Sequence, residues 1–119
     1  DHIGKESRRQ SALLLKQKAA SLAQDHPVII TGDFNFTRDQ PPYEVMMDPR
    51  EIRLQDAAPA STPGTSCGFV VDARPCNAID YIFHTPQWRS DDYGVVQDND
   101  GKHYPSDHLP VMVSLELKK

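Results

Sequence analysis

Between Ser7 and Gln24 the residues Ala12, Leu13, Leu15, Ala19, Ala20, Leu22 and Ala23 recur at helical spacing, with Lys and Gln between them and no Pro or Gly. This pattern predicts an amphipathic helix that packs one face on a sheet. His26-Pro27 is the expected stop, because the residue before a proline is driven out of the helical region. Val28-Ile29-Ile30-Thr31 then reads as a short, continuously apolar strand of the buried kind, with Gly32 to Asn35 at its end. After a polar loop through Pro41-Pro42, a short helix is predicted from Tyr43 to Met47. Leu54-Gln55-Asp56-Ala57 opens an irregular stretch, and the Pro, Ser, Thr and Gly content from Ala58 to Gly68 marks a surface excursion. Strands are predicted over Ala78–His84, Trp88–Val96 and Pro110–Leu117, with Asp98-Asn99-Asp100-Gly101 as a turn.

At 119 residues the chain can bury one core, and no apolar stretch approaches the roughly eighteen residues a membrane span needs. The formal net charge of -4 weighs against a surface built to neutralise many phosphates on long DNA, which moves small phosphoesters forward among anionic ligands. Arg8, Arg9, Lys16 and Lys18 could still form a local basic strip, but the simpler reading is a solvated helix face. Cys67 and Cys76 lie nine positions apart without metal-ligand spacing, which suits free thiols or an incidental disulfide better than catalysis. The sequence opens on Asp1-His2 without an initiating Met, as though cut from something longer, and it carries no readable address for a compartment.

Three polar interruptions of this apolar pattern carry the candidate chemistry. Asp33 and Asn35 stand at positions i and i+2 of a strand end. In extended backbone both would leave on one face, a carboxylate able to take a proton from water and an amide able to donate to a phosphoryl oxygen. Asp80 interrupts a strand otherwise made of Ile79, Tyr81, Ile82 and Phe83. An unpaired carboxylate buried there would be strongly destabilising, so it should have a cationic or hydrogen-bonding partner. His108, beside Asp107 and before Leu109-Pro110-Val111, is a candidate for that partner. Asp80 would then orient the ring and stabilise its charged form. The bland alternatives are a turn at Gly32-Asp33-Phe34-Asn35, an exposed edge position for Asp80, and a surface pair at Asp107-His108.

The ordered set Gly32-Asp33-Phe34-Asn35, Ile79-Asp80-Tyr81-Ile82-Phe83 and Ser106-Asp107-His108-Leu109-Pro110-Val111 resembles the second half of the endonuclease/exonuclease/phosphatase superfamily of metal-dependent phosphoesterases. Gly64-Thr65, Gly68-Phe69, Asp92-Tyr93 and Tyr104-Pro105 look closest to its bacterial members. The resemblance implies an α/β fold, with residues 1–119 as the C-terminal half of a four-layer α/β/β/α sandwich whose N-terminal half is absent. It implies that Asp33 activates the attacking water, Asn35 binds the scissile phosphate, Asp80 orients His108, His108 stabilises charge developing on phosphorus, and Asp107 helps hold a divalent cation. Mg2+ is the expected ion, with Mn2+ or Ca2+ as alternatives and zinc less favoured.

Asp1-His2-Ile3-Gly4 with Arg8-Arg9 resembles the segment after another strand of the superfamily. The catalytic His of that pattern would fall two residues before Asp1, so His2 and Arg8 take ordinary helix-facing roles. The implied activity is hydrolysis of a phosphomonoester or phosphodiester in a small molecule, lipid headgroup or nucleic acid. The missing half, as a separate segment or chain, is the expected partner, and the chain alone is expected to be inactive. A noncatalytic binding or scaffold domain that keeps the fold is the alternative, and an unrelated small metal-binding protein a third.

Overall fold

The computed structural model describes residues 2–119, with side chains from Gly4 onward; Asp1 and the side chain of His2 lie outside the described residues, and with them the reading of His2. The elements in chain order are α1 (His2–Ala23), β1 (Ile29–Asp33), α2 (Pro41–Met47), β2 (Gln55–Asp56), β3 (Asp80–His84), β4 (Trp88–Val95) and β5 (Val111–Leu117). They build an α/β fold with one antiparallel sheet in the order β1-β3-β2 and a second antiparallel pair, β4-β5.

The helical spacing in α1 is real, but the buried stripe is narrower than the apolar positions suggest. Ala12 is buried and Leu15 packs against the core, whereas Leu14 and Leu22 stay exposed. The helix packs chiefly on α2. Its end also comes sooner than Pro27 requires: Gln24 takes a left-handed conformation at φ 53° and its N–H donates to the Ala20 carbonyl. Lys16 corrects the reading of a solvated basic face. It is only 1% exposed, and its ammonium donates to the carbonyls of Val45 and Asp48 where α2 ends. A cation thus meets the negative end of a helix that carries no basic residue in its own last turn. Burial pushes the Lys16 pKa down, with the charges of Asp48 and Glu51 opposing that shift.

Strand alternation divides the first sheet into two unlike faces. Tyr81 and Phe83 of β3 point to the helices and stack at 5.1 Å between ring centroids. Phe34, Phe36 and Tyr43 close around them, and Met46, Leu54 and Ala12 complete this core. The opposite face carries the cross-strand pairs Ile29↔His84, Thr31↔Ile82 and Asp33↔Asp80. Here β1 departs from the fully buried strand expected from its composition: it is an edge strand, and Ile29 is 44% exposed. Leu54 to Ala57 is not wholly irregular either, since Gln55 and Asp56 pair with His84 and Phe83 to form β2. Asp56 anchors that edge by accepting hydrogen bonds from Arg38 Nε at 3.1 Å and Tyr43 Oη at 3.0 Å.

Candidate active site

Strand β3 lies between β1 and β2, and at its Asp80 end, beyond the reach of β2, the buried Thr65 hydroxyl takes the Asp80 N–H, so Asp80 does not sit at an exposed edge. Its side chain is 17% exposed, and His108 Nδ1 donates to Asp80 Oδ2 at 2.8 Å. The partly buried carboxylate therefore has the partner its apolar strand demanded. Asp33 lies directly across the ladder from Asp80, an arrangement that would be repulsive for two bare carboxylates. The imidazole relieves it, because its other nitrogen, Nε2, faces Asp33 Oδ2 at 3.8 Å. Among the described residues, Asp33, Asp80 and His108 are the acids and imidazole whose ligand atoms gather within 4.8 Å of one another.

The hydrogen bond to Asp80 raises the His108 pKa above the ordinary imidazole range. Partial burial opposes the rise, and the charges of Asp80, Asp33 and Asp107 add to it. An imidazolium in this position can stabilise negative charge or donate a proton through Nε2. Asp33 has the complementary character, with a side chain 41% exposed and able to accept a proton from water.

Asn35 does not take the extended conformation that its spacing suggests. Strand β1 ends at Asp33, and Asn35 sits in the left-handed region at φ 56°, a conformation that asparagine tolerates better than most residues. The two residues are joined by a local turn in which the Asn35 backbone N–H donates to Asp33 Oδ1 at 3.0 Å. The turn alternative thus holds for the backbone, while Asp33 keeps Oδ2 free toward His108. The Gly32 φ of 155° supplies the entry into this turn.

Asp107 is exposed and stands outside the close trio, one residue from His108. Its carbonyl accepts the N–H groups of Cys67 and Gly68, at 3.2 and 3.0 Å, which fastens the Ser106-Asp107-His108 segment to the Gly64–Gly68 loop. That loop is closed by a disulfide between Cys67 and Cys76, the second of the two thiol states that the sequence left open. Gly64 is required there by close approach, since a Cβ would meet the Cys76 carbonyl oxygen at 2.3 Å. Thr65, fully buried, joins the loop to β3, and composition gave no sign of it because Ala58 to Gly68 reads as surface.

Residues 3–108 match the endonuclease/exonuclease/phosphatase family. The chain belongs to this family. Over its full length it superposes on a family member from Bacteroides thetaiotaomicron with a TM-score of 0.86 and 31% identity, covering 48% of that chain. A mannosyl-6-phosphatase of B. thetaiotaomicron VPI-5482 aligns with 98% of the chain at TM-score 0.84 and 31% identity, again over 48% of its own length. A family protein from Bacteroides vulgatus aligns with 99% of the chain at TM-score 0.77 and 34% identity, over 47% of its length. The chain therefore spans about half the length of these structures. No curated protein matches it. No helix among the described residues is long and apolar enough to cross a membrane.

Proposed function

We propose that residues 1–119 form the C-terminal half of a divalent-cation-dependent phosphoesterase that hydrolyses its ester by in-line attack of water. The observation that carries this reading is the Asp80–His108 hydrogen bond of 2.8 Å with Asp33 on the free side of the ring. Asp33 Oδ2 takes the proton of the attacking water, the water oxygen bonds to phosphorus as the ester P–O bond breaks on the opposite side, and the departing alkoxide takes a proton from solvent to leave as the alcohol. His108 Nε2, held and kept cationic by Asp80, faces the charge that accumulates on the phosphoryl oxygens. Asn35 contributes a neutral amide to the same phosphate without repelling it.

The donor set suits a hard, oxygen-liganded ion better than zinc. Asp107 and Asp33 offer exposed carboxylates, whereas Asp80 and the Nδ1 of His108 are committed to each other. Asp107 would hold Mg2+, and Mn2+ or Ca2+ could replace it in the same oxygen set. The bound ion would neutralise phosphate charge and order the ester for attack.

The uncovered edge strand of the first sheet supports a partner half, while on the same face Ile82 and His84 of β3 are already buried within the chain. Ile29 and Thr31 on edge strand β1 are uncovered, and the structural relatives are about twice as long. A complementary N-terminal half covers this edge and completes the site, so the chain alone is inactive. A phosphomonoester on a sugar is the favoured substrate class, because a mannosyl-6-phosphatase shares the fold at 31% identity.

The test is hydrolysis of mannose 6-phosphate, p-nitrophenyl phosphate and bis-p-nitrophenyl phosphate by the chain joined to its complementary half. It is run with and without Mg2+, alongside His108→Ala and Asp33→Ala. Metal-dependent turnover that both substitutions abolish supports the proposal, and the preferred compound assigns the ester class. Turnover that survives both would remove the assigned roles. Absence of turnover on every compound would favour a scaffold that keeps the fold.

A further inference from the structure

We propose that Thr65 is a positioning residue that sets the Asp80–His108 pair in register, an inference that rests on reading that pair as catalytic machinery. Three segments remote in sequence meet here: residues 65–68, 77–80 and 107–109. Thr65 is fastened to both of the segments that carry the pair. Its hydroxyl accepts the N–H of Ile79 at 3.1 Å and the N–H of Asp80 at 3.2 Å, and lies 3.3 Å from the Asn77 carbonyl to which it can donate. Its carbonyl accepts the N–H of Leu109 at 2.7 Å, next to His108. Ser66 extends the contact in both directions through bridges to Asn77 and His108.

The placement answers a gap in the sheet. Strand β2 pairs with β3 only at Phe83 and His84, so it does not reach the end of β3 that bears Asp80. On the other side β1 is in place, with the Phe34 N–H donating to the Ile79 carbonyl at 2.9 Å. Thr65 substitutes for the missing third strand at that end and offers one oxygen to two amides. It is 0% exposed, so valine, which has the same shape, would leave both amides facing a methyl group with no water to replace the hydroxyl. The start of β3 would then shift relative to the His108 segment, and the hydrogen bond between the two side chains depends on that relation. Catalytic geometry tolerates displacements of only about half an ångström, so a small shift is sufficient to reduce turnover.

The experiment compares Thr65→Val with Thr65→Ser in the chain joined to its complementary half, alone and combined with Asp80→Asn. Thr65→Val is expected to lower kcat by about 10–100-fold with KM unchanged, as loss of an outer support does, and Thr65→Ser to restore most of it. In the Asp80→Asn background Thr65→Val should lower kcat little further, because residues that act through one another are not additive. An equal loss in both backgrounds, or wild-type kcat in Thr65→Val, would overturn the inference. If Thr65→Val does not fold, Thr65→Ala takes its place against Thr65→Ser with the same expectations. A crystal structure of the hydroxyl-deleted variant separates this inference from the functional reading. Should the parent protein hydrolyse nothing, parting of Asp80 Oδ2 from His108 Nδ1 still supports positioning, and retention of the 2.8 Å contact rejects it.

Discussion

Strands β1 and β3 present two faces with opposite economies of structure. Toward the helices, Tyr81 and Phe83 are at most 4% exposed and lie inside a ring of aromatic contacts, with Phe34 meeting Phe83 edge-on at 5.4 Å. Toward the other side, one residue along the same strand, Asp80 is set opposite a second carboxylate and is held by an imidazole. The first face is specified by volume and apolar area, and any well-packed substitute of similar size would serve it. The second changes character along its length: Ile82 and His84 are buried, whereas the Asp80 end is specified by hydrogen-bond direction and charge and gains little stability from its own contacts. One side of a sheet supplies the rigidity that lets the other hold an unfavourable grouping of acids in place.

Paired substitutions on the two faces should separate these contributions most sharply. Phe83→Ala removes a fully buried ring and is expected to destabilise the protein by about 3–5 kcal/mol, read as a lowered denaturation midpoint. His108→Ala should do the reverse. It lowers kcat by about 100- to 10,000-fold and costs about 1.5–3 kcal/mol of stability, the loss of a hydrogen bond to a charged group. If His108→Ala unfolded the chain as strongly as Phe83→Ala, the site face would be part of the core and the contrast would collapse.

The same division explains what the amino-acid sequence disclosed. Asp80 was legible because a carboxylate amid Ile79, Tyr81, Ile82 and Phe83 requires a partner, and the structure supplies His108. The principal strands and both helices were legible from periodicity. Other features depend on groups that arrive from elsewhere in the chain. Lys16 lies in a helix whose other basic residues suit water, and nothing near it in sequence announces the carbonyls of Val45 and Asp48. Strand β2 has two residues, too few for any period to show. Asn35 was expected on an extended strand end, but the backbone turns left-handed there, a choice that the Asp33 carboxylate makes possible through a local hydrogen bond. Thr65 was visible as part of the Gly64-Thr65 resemblance, but its burial was not, since a Thr among Pro, Ser and Gly reads as exposed loop.

The disulfide tests whether the site face depends on its loop as much as on its strand. Cys67 and Cys76 close a short loop on the segment whose N–H groups hold the Asp107 carbonyl. Replacing both by Ser should lower stability by about 2–3 kcal/mol through the freed loop, measured by denaturant unfolding. The aromatic core is built from residues outside the loop and should keep its near-ultraviolet circular dichroism in the folded variant. A variant of unchanged stability would mean that the backbone hydrogen bonds of residues 65–68 already order the loop without the covalent link.

The smallest effect at neutral pH is expected at Tyr43, where the aromatic face meets the Arg38–Asp56 ion pair. Burial, and then the charge and hydrogen bond of Asp56, push the Tyr43 phenol up to about 12 from its ordinary value of 10.0. Because the folded state favours the neutral phenol, its contribution to stability is complete below about pH 10 and is lost as pH rises through about 12. Tyr43→Phe removes the hydrogen bond to Asp56 and should cost about 1–2 kcal/mol near neutrality. In the alkaline window the difference should shrink, since the wild-type phenol becomes a partly buried anion beside a carboxylate while Phe has no proton to lose. Thermal melts of both proteins from neutral to strongly alkaline pH would show the two curves converging. Parallel curves would mean that Tyr43 ionises as freely in the folded chain as in the unfolded one, and that this border of the aromatic face is open to water.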